Sequence, residues 1–257
     1  MSLSSSPPPH VSLAPKGHVQ LGIRKIPIWP EDQALGALSD PTIWLTDFGD
    51  HARFHPKLVE RILAMEKDPK YRDFFFRGGC GTKVRRLDEW GSLEAELVQR
   101  RALALFRIVT GSSTAVVDDG WASIYRRGDF CMPHSHVRTT ASVLYLLDPG
   151  DVPALGDDGS QADAVAGGAV DPFAGKFCFC DPRLRSCCQA EEGRMTNLLI
   201  PDLRPGSMLI FPSEWVHMVA AYLGTRPRIT MSWNISPVRV PGKPDAQMLF
   251  SRGAADR

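Results

Sequence analysis

Residues 114–136 read TAVVDDGWASIYRRGDFCMPHSH. A β-rich run passes through Trp121 and Tyr125, breaks at Gly128, and leads into His134-Ser135-His136. Alternation along a strand puts residues i and i+2 on one face, so both imidazoles can enter one cavity. Towards the C-terminus, ASVLYLLD (141–148), GSMLIFP (206–212) and RITMSWNIS (228–236) are further short β-rich runs, punctuated by Gly, Pro and Asp. This half predicts mostly antiparallel sheet. His217 follows GSMLIFPSEWV, a strand-and-turn pattern that would bring a third imidazole from a neighbouring strand.

Towards the N-terminus the character changes. Helices are expected from Pro56 to Glu66, with Pro in the first turn, and from Asp88 to Val109, ended by Gly111. They should cover one face of the sheet. In HVQLGIRKIPIWP (18–30), Val19, Leu21 and Ile23 alternate with polar neighbours before Pro27, which suits an early strand where the sheet begins. Residues 1–17 are Ser- and Pro-rich and read as a disordered tail, 241–257 as a C-terminal tail, and 148–175 as a flexible insertion at the rim of a site. A single domain from 18 to 240 is expected, its core at 114–236.

With 257 residues, 43% of them hydrophobic, the chain can bury one sizeable core. Thirty Lys+Arg balance 29 Asp+Glu for a net charge of +1, leaving no global field for nucleic acid or an anionic membrane. There is no apolar run of about 18 residues, and the N-terminus lacks the charged-then-apolar order of a secretory signal. The expectation is a cytoplasmic protein with no membrane or nucleic-acid partner. The six cysteines read as reduced thiols, with Cys131 close enough to the His134 strand to suffer oxidation. The C-x-C-x6-C-C cluster of Cys178, Cys180, Cys187 and Cys188 leaves a zinc-stabilised module open. Arg126, Arg127 and Arg138, beside the histidine strand, are candidates for an anionic substrate or for simple solvation.

Tyr125-x-x-Gly128 followed by His134-x-His136, with Arg228 eleven positions after His217, resembles the Fe(II)/2-oxoglutarate oxygenases of the prolyl-hydroxylase and AlkB-like type. Trp121, His134-Ser135-His136, LYLLDPG, Asp181-Pro182-Arg183, FPSEWVH and RITMSWN are similar in order and spacing to a largely uncharacterised bacterial and phage group of these enzymes. The resemblance covers about residues 114–236. It implies a double-stranded β-helix (jelly-roll) core of roughly eight strands with flanking helices. It also implies Fe(II), 2-oxoglutarate and O2 as cofactor and cosubstrates, and hydroxylation of a small-molecule or peptide substrate. The metal ligands it implies are His134, His136 and His217. Arg228 would pair with the distal carboxylate of 2-oxoglutarate, helped by Thr230 and Tyr125. Ser123 stands where the family often has Asn, and His136 where it usually has a carboxylate. Asp181 is an alternative carboxylate ligand. A three-His non-haem iron dioxygenase that dispenses with 2-oxoglutarate, and a catalytically silent ligand-binding jelly-roll, are the rival readings. Arg228 is the residue that separates them.

Overall fold

The computed structural model describes residues 17–31, 33–39, 43–74, 81–136, 139–151, 173–180 and 198–238. The expected tails and the interior of the insertion lie outside them, as do Arg138, Asp181, Cys187 and Cys188. In chain order the elements are β1 (His18–Leu21), β2 (Arg24–Pro27), β3 (Gly36–Ser39), β4 (Ile43–Asp47), α1 (His55–Met65), β5 (Arg72–Phe74), β6 (Thr82–Val84) and α2 (Leu93–Thr110). There follow β7 (Val116–Tyr125), β8 (Cys131–His134), β9 (Ala141–Asp148), β10 (Phe177–Cys180), β11 (Leu198–Leu199), β12 (Ser207–Pro212), β13 (His217–Val219) and β14 (Arg228–Ser236).

The β-rich half folds into two antiparallel sheets whose strands alternate between them, the double-stranded β-helix. The large sheet runs β3-β4-β12-β9-β14-β7-β6-β5 and the small one β11-β10-β13-β8. The β-helix proper is the eight strands from β7 to β14; β3 to β6 extend the large sheet at both ends. ASVLYLLD and SMLIFP are almost continuously buried, because both faces of the large sheet are covered. On the outer face, α1 packs on β9, and α2 on β12 and β14. There Ile124, Val143, Met208, Met231 and Trp233 share a core with Leu58, Ile62, Leu97 and Val98. On the inner face Tyr125, Leu144, Leu209 and Phe211 meet Phe177, Phe179 and Val219 of the small sheet.

Two local expectations are corrected. The 18–30 segment does not begin the main sheet: Gly22, at φ 61°, turns the chain, and β1 pairs with β2 alone. Val19 and Ile26 are buried in the outer core while Ile23 is fully exposed, so its place in the alternation was that of a turn residue. The helix expected from Asp88 begins later. A 3-10 turn at Leu87–Glu89 stops at Gly91, whose φ of 56° no right-handed helix accommodates, and Ser92 restarts the chain by accepting the Ala95 N–H at 3.2 Å. α1 starts and ends within one residue of expectation. Among the described residues no helix is long and apolar enough to cross a membrane.

Arg101 joins α2 to the N-terminal segment. It is fully buried, donates to both carboxylate oxygens of Asp50 at 2.8 and 2.6 Å, and reaches the carbonyls of Ile28 and Pro27 at 3.1 and 3.2 Å. Removing one partner of such a pair strands the other charge. Arg101→Met should therefore cost about 3–5 kcal/mol in denaturant unfolding. Beside it, His55 is hydrogen-bonded at 2.6 Å to the Tyr145 hydroxyl. Burial first, then the neighbouring His51, lower its pKa from 6.5 to about 3. The unfolded chain binds a proton there that the folded one refuses, so stability is intact above pH 6.5 and falls as the pH drops towards 3. Urea midpoints of the metal-free protein measured between these limits should fall with acid, and His55→Asn should flatten the slope.

Candidate metal centre

β8 and β13 are antiparallel neighbours, and the register places His217 directly opposite His134. His136 lies two residues beyond β8, its backbone N–H held by the Ser213 carbonyl at 2.8 Å. The three rings converge, with centroid separations of 5.2 Å (His134 to His136), 4.3 Å (His134 to His217) and 5.0 Å (His136 to His217). One nitrogen from each lies within 4.8 Å of the others.

The second nitrogen of each ring decides what that cluster can do. His134 Nδ1 is 2.8 Å from the Met132 carbonyl, His217 Nδ1 2.9 Å from the Trp215 carbonyl, and His136 Nδ1 2.7 Å from Asn234 Oδ1. Carbonyl oxygens only accept, so each Nδ1 carries the proton and each Nε2 keeps a lone pair. Burial is the largest cause holding all three pKa values down, to about 4 for His136 and about 3 for His217, so neutral imidazoles face one another. Three neutral nitrogen donors with fixed tautomers fit a borderline cation such as Fe(II). Among the described residues no carboxylate or thiol belongs to this group.

A second feature lies on the large sheet. Arg228 of β14 pairs with Tyr125 of β7, and Thr230 with Ser123. Arg228 is buried, its guanidinium 5.4 Å from the Tyr125 ring centroid, and among the described residues Nη1 has no hydrogen-bond partner. Burial lowers its pKa, and the groups whose fields oppose this are the phenols of Tyr125 and Tyr222 and the Cys178 thiol. A buried cation with a donor left over is an anion receptor with its ligand unspecified. Thr230 is buried beside it. Ser123 uses its hydroxyl to accept the Trp121 indole N–H at 3.1 Å, which fixes that ring. Arg126 is committed to Glu66, at 2.6 and 2.7 Å.

Sequence reasoning overlooked Asn234 and Ser142. Asn234 shares a face with Arg228 and Thr230 by strand alternation, a signal present in RITMSWN. The Ser142 hydroxyl donates to Asn234 Oδ1 at 3.1 Å and lies 2.9 Å from His136 Nδ1, completing the support of that ring.

Residues 119–234 match the family described as "Putative 2OG-Fe(II) oxygenase". No curated protein matches the chain. Among solved structures, HygX from Streptomyces hygroscopicus, with nickel and 2-oxoglutarate bound, is 13% identical over 76% of this chain and 83% of its own, with a TM-score of 0.51. EctD from S. alaskensis, in its apo form, is 14% identical over 81% of this chain and 79% of its own, TM-score 0.50. The non-haem α-ketoglutarate-dependent epimerase SnoN from nogalamycin biosynthesis is 15% identical over 79% and 84%, TM-score 0.50. At these identities the likeness is one of fold.

If Asn234 fixes the His136 tautomer, Asn234→Ala should weaken Fe(II) binding about 10- to 100-fold, the usual effect of losing a ligand's outer partner. Competition against a metallochromic chelator measures this, with the unfolding midpoint of the metal-free protein as control.

Proposed function

We propose that this chain, whose residues 119–234 match the family described as putative 2OG-Fe(II) oxygenases, couples 2-oxoglutarate decarboxylation to hydroxylation of a small-molecule or peptide substrate, with His134, His136 and His217 holding Fe(II) and Arg228 the cosubstrate. The observation that carries the reading is Arg228, a buried guanidinium whose Nη1 has no partner among the described residues, on the same sheet face as Thr230 and Tyr125. A 2-oxoglutarate-independent dioxygenase would need some other anion, such as a substrate carboxylate, in that place.

Bound Fe(II) would supply the redox chemistry, consuming O2 and 2-oxoglutarate to yield succinate, CO2 and one oxygen atom for the substrate. The chain's own residues bind, orient and exclude water. Arg228 takes the distal carboxylate, with the Thr230 and Tyr125 hydroxyls as further donors. The Nε2 lone pairs of His134, His136 and His217 would hold the metal, three protein ligands that leave room for cosubstrate and O2. Phe177 and Phe211, with ring centroids 5.5 and 4.9 Å from that of His217, wall the centre against water.

A histidine in place of the usual carboxylate leaves the ligand set uncharged. Metal retention then leans on the dianionic cosubstrate, and coupling of the two is reciprocal. In anaerobic titrations a visible charge-transfer band should need both Fe(II) and 2-oxoglutarate, and each should tighten the other's binding by about tenfold or more. Arg228→Met should abolish the band by weakening 2-oxoglutarate about 100-fold. The same change should leave the metal-free unfolding midpoint unchanged or higher, because it removes an uncompensated buried charge. A band that persists in Arg228→Met, or iron binding that survives His134→Ala and His217→Ala, would sink the assignment.

A further inference from the structure

Resting on the oxygenase reading above, we propose that Ser232 is a cosubstrate-binding residue, whose hydroxyl donates to the oxo-acid end of 2-oxoglutarate, opposite the carboxylate taken by Arg228. β14 is hydrogen-bonded along both edges, and its register sets Ser232 directly opposite Trp121 of β7 and Leu144 of β9. The neighbours of Ser232 in the chain, Met231 and Trp233, are fully buried in the helix-covered core. By alternation Ser232 takes the other face, yet it is only partly buried. With both strand edges paired and the outer face sealed, that exposure opens onto the space between the two sheets, where the histidines lie.

Along the inner face of β14 the order is Arg228, Thr230, Ser232, Asn234. Asn234 Oδ1 holds the His136 ring at 2.7 Å, so the row runs from the guanidinium to a metal ligand. Trp121, paired with Ser232, meets that same ring edge-on at 5.8 Å. The groups around Ser232 leave its hydroxyl uncommitted. Leu144 is apolar, the Trp121 indole N–H goes to Ser123, and the Ser142 hydroxyl goes to Asn234. Among the described residues the Ser232 hydroxyl has no hydrogen-bond partner.

An oxo acid with its distal carboxylate on Arg228 and its other end at the histidines lies along this row. Its oxygens only accept, and the row offers donors: Thr230 beside the guanidinium, Ser232 two residues nearer the histidines. A carboxylate drawn out of water needs its lone pairs satisfied. A hydroxyl can turn its proton to whichever oxygen is presented. The fold itself gains no bond from this hydroxyl, and alanine would pack there as well.

The test titrates the full chain anaerobically with Fe(II) and then 2-oxoglutarate, following the visible charge-transfer band. In that transition charge moves onto the oxo acid. A donor at the oxo-acid end therefore lowers its energy, whereas a donor on the distal carboxylate, insulated by methylenes, does not. Ser232→Ala should weaken 2-oxoglutarate about tenfold and move the band to shorter wavelength. Thr230→Ala should weaken 2-oxoglutarate and leave the band in place. Fe(II) affinity without cosubstrate and the metal-free unfolding midpoint should be unchanged in Ser232→Ala. Undiminished 2-oxoglutarate affinity in Ser232→Ala, or a loss with the band unmoved, overturns the proposal. A matching loss of Fe(II) affinity without cosubstrate also overturns it, by showing that Ser232 acts through Asn234 and His136. Absence of the band in the wild-type protein instead overturns the oxygenase reading on which it rests.

Discussion

β14 is hydrogen-bonded along its length to β7 on one side and β9 on the other, and its alternation couples the core to the site. Ile229, Met231, Trp233 and Ile235 enter the helix-covered core. Arg228, Thr230 and Asn234 take the opposite face, where they supply a guanidinium, a hydroxyl and the acceptor for His136. A slip of one residue would bury the charged and polar set under α2 and turn Trp233 into the cavity. The register is therefore specified twice, by hydrophobic burial outside and by hydrogen bonding inside.

The same arrangement sets stability against function. Arg228 is buried beside neutral phenols and a thiol, an arrangement that folding alone disfavours. Arg101, equally buried, has Asp50 at 2.6 Å and two backbone carbonyls, and so serves the fold. Two buried arginines thus play opposite parts, distinguished by whether the protein itself supplies the counter-charge. The histidines follow a similar division. Each spends Nδ1 on a protein carbonyl oxygen and keeps Nε2 unspent, so the site is organised before any ligand arrives.

Short-range periodicity made much of this legible. The runs after Thr114 became strands because alternating and continuous apolar patterns have one solution when both faces of a sheet are covered. The i, i+2 spacing of His134 and His136, and of Arg228 and Thr230, put each pair on one face. Periodicity misled at Ile23, next to Gly22, and at Gly91, where a glycine with a positive backbone angle interrupts a pattern that composition alone would continue.

What the sequence by itself determined was local: strand and helix positions, the shared faces, and a set of nitrogen donors beside a conspicuous arginine. Tertiary structure decided which groups meet. It set His217 opposite His134, gave His136 a partner in Asn234, 98 positions away, and placed Ser232 between Trp121 and Leu144. It also separated the first hairpin from the main sheet. The physical reason is that side-chain direction follows from spacing along one strand, whereas cross-strand register and hydrogen-bond partners depend on burial summed over the whole core.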